Sequence, residues 1–191
     1  MILQVEQKNV YSLEEYLDFE VNSSERHEYI EGEIRPMTGG TPNHNQITGN
    51  LSATLNFALK RQPYRVFVTD QRLWIPKKRL YTYPDIMVIQ GDIQLQEGRK
   101  DTITNPLILV EVLSASTRNY DKDEKFAAYR TLPTFQEYIL IDQYNIQIEH
   151  YYKTDQKHWI FMEYNNSNET LVLNSISFEI TVADIYDKVE F

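Results

Sequence analysis

The sequence predicts an α/β protein with one central mixed β-sheet, helices packed against it, and additional antiparallel strands at the C-terminal end. Three observations carry this expectation. The run from Leu107 to Leu113 is apolar except for Glu111, the pattern of a short strand buried on both faces. Ile47, Leu51, Leu55 and Leu59 recur every four residues through Lys60, as in an amphipathic helix lying on a sheet. From Gln136 onward the pattern is almost wholly strand: EYILID, IQIEHYYK, HWIFMEY, TLVL and SFEI.

In chain order, Ser12 is expected as an N-cap with Glu15 at capping-box spacing, opening a short helix through Phe19. ERHEYIEGEIRPM, residues 25 to 37, reads as a hairpin turning at Gly32, with Glu28, Glu31 and Glu33 crowded around it. The Gly- and Pro-bearing loop 38 to 43 precedes the Ile47 helix, and His44 falls in its first turn. Residues 64 to 75 read as one strand and Lys77-Lys78-Arg79 as an exposed basic tip. A second strand follows in YTYPDIMVIQ, with Pro84 and Asp85 at its start. Residues 91 to 105 are polar and turn-rich, a surface connection. Asp121 and Glu124 have capping-box spacing and open a helix that Pro133 stops. The final TVADIYDKV is a short helix, and there is no internal repeat.

At 191 residues without a long linker, the chain is expected to form one domain, 1–191. The absence of Cys excludes a disulfide framework and a thiolate zinc site. The first residues lack a basic stretch followed by a long apolar one. No later run reaches the roughly 20 apolar residues of a membrane span, so a soluble cytoplasmic protein is expected. A net charge of -9 argues against general coating of nucleic acid, which depends on Lys and Arg. It does not exclude an enzyme that meets DNA or RNA locally, because the local patch decides.

The chemistry is expected at Glu111. Alternation puts Leu109, Glu111 and Leu113 on one strand face, and a buried carboxylate there costs several kcal/mol or so unless compensated. Asp85 can approach it from a neighbouring strand about 4.8 Å away. Two close carboxylates repel unless one is protonated or a cation lies between them. Oxygen ligands, with no Cys and no paired His motif among His27, His44, His150 and His158, favour Mg2+ or Mn2+ over Zn2+. Lys125 follows on the next helix and can return over the same point.

YPD at 83 to 85, PLILVEVLSAST at 106 to 117, DKDEKFAAY at 121 to 129 and the proline-to-EYILID segment at 133 to 142 resemble the Uma-type restriction-endonuclease-like proteins, a branch of the PD-(D/E)XK nuclease superfamily. The likeness reaches back through HEYIEGEI at 27 to 34 and His44, and extends to about residue 145. It implies a restriction-endonuclease-like core and metal-dependent hydrolysis of phosphodiester bonds by a DNA endonuclease. Asp85 and Glu111, with the main-chain carbonyl of Val112, would hold Mg2+ or Mn2+. Leu113 stands where the superfamily's lysine is usual, and the position that matches in this branch is Lys125, which would assist the attacking water. Glu28 matches a hairpin acid near the metal, able to bind a metal-ligated water or a second cation. Lys77, Lys78, Arg79 and His44 are candidate nucleic-acid contacts, and Tyr81 and Tyr83 could stack on bases.

Each residue also has a plainer reading. Asp85 can begin a strand, Glu111 can pair with a core Arg or Tyr, and Lys125 can be a solvated partner of Asp121. Two other functions suit the same residues. One is a non-catalytic nucleic-acid or protein-binding module that keeps the acids as a structural site. The other is an acidic homodimer built through the C-terminal strands, with Tyr151, Tyr152, Trp159 and Phe161 either covering a partner or filling the core.

Overall fold

The apolar run around Glu111 forms the strand Ile108–Leu113, wholly buried, inside a six-stranded mixed sheet in the computed structural model, which describes residues 10–37, 39–115 and 117–191. Three sequence expectations fall partly outside those residues: the N-terminus without a leader (1–9), Thr38 in the loop 38 to 43, and Ser116 in the run 106 to 117. In chain order the strands are β1 (His27–Ile30), β2 (Glu33–Pro36), β3 (Tyr64–Val68), β4 (Arg72–Ile75), β5 (Leu80–Thr82), β6 (Ile86–Gln90), β7 (Thr102–Ile103), β8 (Ile108–Leu113), β9 (Glu137–Asp142), β10 (Ile148–Lys153), β11 (Trp159–Tyr164), β12 (Thr170–Leu173) and β13 (Phe178–Thr181). The helices are α1 (Leu13–Asn22), α2 (Pro42–Ala58), α3 and α4 (Val182–Ile185). Helix α3 runs through Arg118–Tyr120, a π-helical turn Asp121–Lys125, and Phe126–Tyr129.

The central sheet has the order β11-β10-β9-β8-β6-β3, antiparallel except for the parallel pair β8 and β9. Helix α3 is part of the crossover that a parallel pair requires. The sequence implies one sheet. The structure adds a five-stranded one, β2-β1-β5-β4-β7, and the two-stranded pair β12-β13. The division arises at two breaks inside segments that read as continuous strands. Asp70 adopts φ 84, which ends β3 and sends β4 into the second sheet. Pro84, which has no N–H to give a ladder, separates β5 from β6. Asp85 therefore lies where the chain passes from one sheet to the other.

Side chains from β8 feed two cores. Ile108, Val110 and Val112 join Ile47, Leu51 and Leu55 of α2 on one face. Leu109 and Leu113 join Tyr129, Phe135 and Tyr138 on the other, the face that Glu111 shares. A third cluster of Tyr16, Tyr29, Trp74 and Tyr81 ties α1 to the five-stranded sheet.

The local signals mostly hold. The Ser12 and Glu15 capping box is complete, with Glu15 N–H donating to Ser12 Oγ at 3.1 Å and Ser12 N–H to Glu15 Oε2 at 2.8 Å. Glu31 and Gly32 both have positive φ at the tip of the β1–β2 hairpin. Helix α2 starts before its apolar stripe, because Thr41 caps it and Pro42 takes its first turn. Two expectations need correction. Asp121 is no N-cap: α3 begins at Arg118, and Asp121 lies buried inside the helix. The segment 91 to 105 is more than a surface connection, since β7 pairs in parallel with β4 through Arg72 and Thr102. Among the described residues no helix is long and apolar enough to cross a membrane.

Candidate active site

β8 and β6 pair antiparallel, Ile86 opposite Val110 and Met87 opposite Leu109, so continuing that register sets Asp85 level with Glu111 on the same face. Asp85 Oδ2 accepts the Val112 N–H at 2.7 Å and faces His44 Nε2 at 3.2 Å. His44 comes from the first turn of α2, where Thr41 Oγ1 caps its N–H at 3.2 Å.

Lys125 is buried, 6% exposed, at the centre of three acids. Its Nζ lies 3.3 Å from Glu111 Oε1, 3.2 Å from Glu28 Oε1 and 3.1 Å from Asp121 Oδ1. Tyr129 donates its hydroxyl to Glu111 Oε1 at 2.6 Å, and Thr82 donates its own to Glu28. Asp121, Lys125 and Tyr129 recur every four residues, so α3 turns one face to Glu111. The π turn sits within that face. The Tyr138 hydroxyl donates to the Asp121 carbonyl at 3.0 Å, a side-chain insertion into the helix ladder of the kind that widens a turn. The Tyr120 ring lies 5.4 Å from the Lys125 ammonium, with the Arg35 guanidinium 5.9 Å from the same ring.

The charges do not balance. Among the described residues four carboxylates, Glu28, Asp85, Glu111 and Asp121, face one ammonium and one imidazole. Burial pushes the Glu111 carboxyl up from 4.5 to about 8; Lys125 and the Tyr129 hydrogen bond pull against this, while Asp121 and Asp85 add to it. Burial works against the Lys125 ammonium, yet Glu111 and Glu28 above all hold its pKa well above the ordinary value. For His44 burial again opposes the charge, and the hydrogen bond to Asp85 outweighs it, so the net shift is upward. Removing the Tyr129 hydroxyl strips Glu111 of its shortest hydrogen bond. Tyr129→Phe is expected to lose about 1–3 kcal/mol of stability in chemical denaturation, and to move the Glu111 titration, followed by carboxyl NMR, to still higher pH.

Of the residues singled out in the sequence, Glu28, Glu111 and Lys125 come into direct contact, and Asp85 joins His44 and the main chain of Val112 beside them. The Val112 group seen to act is its N–H. Glu31 and Glu33 are exposed, with Glu33 held by Arg35 at 2.7 Å. Lys77, Lys78 and Arg79 form an exposed turn at the end of β5 remote from Thr82, and are not gathered into the cluster. Base stacking by Tyr81 and Tyr83 is corrected. Tyr81 is fully buried, its ring stacked on Trp74 at 4.2 Å, and Tyr83 is buried with its hydroxyl donated to Glu20 at 2.7 Å. Sequence reasoning misses Asp121, Tyr129, Tyr120 and Thr82 as members of the site. The four-residue spacing of Asp121, Lys125 and Tyr129 is the available signal for the first two.

The donor set fits a hard divalent cation. It consists of carboxylate oxygens, carries surplus negative charge, and includes a buried Asp121 Oδ1 that makes no hydrogen bond among the described residues despite its proximity to Lys125. The Tyr120 hydroxyl is likewise buried without a hydrogen-bond partner there. Among the described residues no three His, Cys, Asp or Glu side chains form a ready cage. Mg2+ needs none, since it is commonly held by one or two carboxylates with waters and substrate phosphates completing its shell.

Comparison with known proteins gives consistent matches. The Uma2 family, described as "Putative restriction endonuclease", matches residues 13–183. Two proteins of Synechocystis sp. are similar over most of their length. "Uncharacterized protein sll1609" is 42% identical over 154 residues, covering 81% of this chain and 87% of that protein. "Uncharacterized protein slr1290" is 36% identical over 182 residues, covering 94% and 93%. Among solved structures, a "putative nuclease belonging to DUF820" from Anabaena variabilis superposes with a TM-score of 0.73 at 19% identity, covering 91% of this chain and 96% of that one. At that identity the likeness establishes a shared fold alone.

Proposed function

The chain belongs to the Uma2 family of restriction-endonuclease-type proteins, and on that premise we propose that it is a metal-dependent DNA endonuclease acting through Asp85, Glu111 and Lys125. The observation that carries the reading is the surplus of carboxylates brought together from β1, β8 and α3 around a single lysine, with Asp85 level with Glu111 on the same sheet face. Asp85 and Glu111, with the Val112 carbonyl, would hold Mg2+ or Mn2+. The bound ion would supply Lewis acidity toward a phosphate and lower the pKa of a water. Lys125 would orient that water and offset charge developing on the phosphate. Glu28, fixed by the Thr82 hydroxyl, would keep Lys125 aimed there and could take up a metal-ligated water or a second cation. His44 would reach the nucleic acid or release Asp85 to the ion, while Lys77, Lys78 and Arg79 would meet the phosphate backbone outside the cluster. The chain would act as one domain, 1–191, in the cytoplasm, with nucleic acid as its partner.

The competing reading, a non-catalytic binding module, draws on the three carboxylates that Lys125 already touches. Supercoiled plasmid, single-stranded DNA and RNA incubated with purified protein separate the two. Cleavage that needs Mg2+ or Mn2+ and disappears in Asp85→Asn is expected. Nucleic-acid binding without cleavage by the wild type would overturn the nuclease.

Ion binding should also track pH in a defined direction. Glu111 titrates near 8 in the ion-free fold, so below that pH a proton competes with the ion. Calorimetric titration is expected to give an affinity that rises about tenfold per pH unit from about 6 to 8 and then levels off. An affinity independent of pH across that window would remove Glu111 from the ligand set.

A further inference from the structure

Strand β11 is the outer strand of the central sheet, paired on one side with β10. Edge strands are usually blunted by proline, bulges or inward charges, because their unpaired N–H and C=O groups invite another strand. β11 reads Trp-Ile-Phe-Met-Glu-Tyr, contains no proline, and leaves Ile160 40% and Phe161 51% exposed. These two neighbours point to opposite faces, so both sides of the edge offer apolar surface. The charges along it are ordered. Lys157 and His158 precede the strand, His158 already facing Asp155 at 2.7 Å, and Glu163 lies near its end. Glu163 stands directly opposite Glu149 of β10, an unfavourable like-charge pair. Lys122 neutralises Glu149, whereas Glu163 accepts from the uncharged Gln147 amide at 2.7 Å.

We propose that β11 is a self-association edge. A second copy of this chain adds antiparallel across it, with Ile160 on the two-fold axis, and joins the two six-stranded sheets into one. In that register Trp159 of each copy faces Phe161 of the other, and Lys157, in the hairpin loop before the strand, comes level with Glu163 of the other copy. Each Glu163 thereby gains a cation that no described residue of its own chain gives it, and aromatic cross-strand pairs flank the axis. A two-fold pairing closes after two copies, whereas β11 against the opposite edge, β3, would propagate into filaments. The inference stands apart from the nuclease reading and uses none of its residues.

Sedimentation velocity over a concentration series tests it. The wild type is expected to pass from the 22.7 kDa monomer to a dimer. Lys157→Glu and Glu163→Lys, both exposed substitutions, should each weaken the dimer about tenfold. The double variant, and an equal mixture of the two single variants, should recover wild-type association, because both place opposite charges across the axis again. Ile160→Lys should be monomeric, with circular dichroism confirming that it is folded. A wild type that stays monomeric at high concentration, grows by single chains into larger species, or forms a dimer indifferent to the charge exchange would overturn the proposal.

Discussion

Glu111→Gln is expected to abolish metal-dependent cleavage, by about a thousandfold or more, and at high pH without a divalent ion to be the more stable protein. The two effects share a cause. Glu111 sits in an apolar strand beside the Lys125 ammonium, and in the ion-free fold burial raises its pKa from 4.5 to about 8. Between those values the folded chain holds a proton that the unfolded chain releases. Stability from this group is therefore complete below about 4.5 and is lost as pH rises through about 8. Glutamine keeps the shape and removes the charge. Lys125 retains Glu28 and Asp121 as partners, so its ammonium is not stranded. Thermal melts at about pH 9 without metal should place Glu111→Gln above the wild type, and saturating Mg2+ should raise the wild type alone. A variant less stable than the wild type under those conditions would mean that Glu111 is a structural anchor of Lys125 and not a ligand in waiting.

Lys125→Met is expected to be the most destabilising single change in the cluster. Among the described residues it removes the one ammonium that touches Glu28, Glu111 and Asp121, leaving Glu111 and Asp121 buried without a side-chain cation beside them. Breaking a buried pair from one side costs about 3–5 kcal/mol. The loss should shrink as pH falls, because the stranded acids take up protons, and should shrink again with Mg2+. In the double variant Lys125→Met/Glu111→Gln the cost should be well below the sum of the two single effects. With Mg2+ restoring the fold, cleavage should still be slow, since nothing then orients the water. Denaturation of the four proteins at acid and alkaline pH, with cleavage measured at matched folded fractions, separates the structural from the chemical part.

The acid pair is legible because its sequence context conflicts with its charge: an acid inside Leu-Ile-Leu-Val-Glu-Val-Leu demands a partner, and strand alternation alone fixes the face on which that partner must lie. Lys125 follows from the likeness of 121 to 129 to the Uma-type pattern. The sequence misleads at Asp121, because Asp three residues before Glu is the signature of a helix start. The helix begins earlier, at Arg118, where Ser114 Oγ accepts the Thr117 N–H at 3.2 Å and the Ser114 carbonyl accepts the Arg118 N–H at 3.1 Å, and the Tyr138 hydroxyl meets the Asp121 carbonyl inside the helix. The second sheet is hidden for a related reason. Residues 64 to 75 and 80 to 90 keep strand composition across their breaks, and only the φ of Asp70 and the missing N–H of Pro84 divide them. Tyr81 and Tyr83 show the limit of composition. Tyrosines beside a candidate active site suggest stacking on bases, yet the α1 and β1 side chains claim them for a core.

The position of a bound ion decides whether Asp85 and Glu111 are metal ligands. Crystals soaked in Mn2+, measured at a wavelength where manganese scatters anomalously, should give a peak between the Asp85 and Glu111 carboxylates, beside the Val112 main chain and within reach of a water that Lys125 can hold. The same crystals of Glu111→Gln should lack it. A peak elsewhere on the chain, or a peak at the cluster that survives in Glu111→Gln, would contradict the assignment.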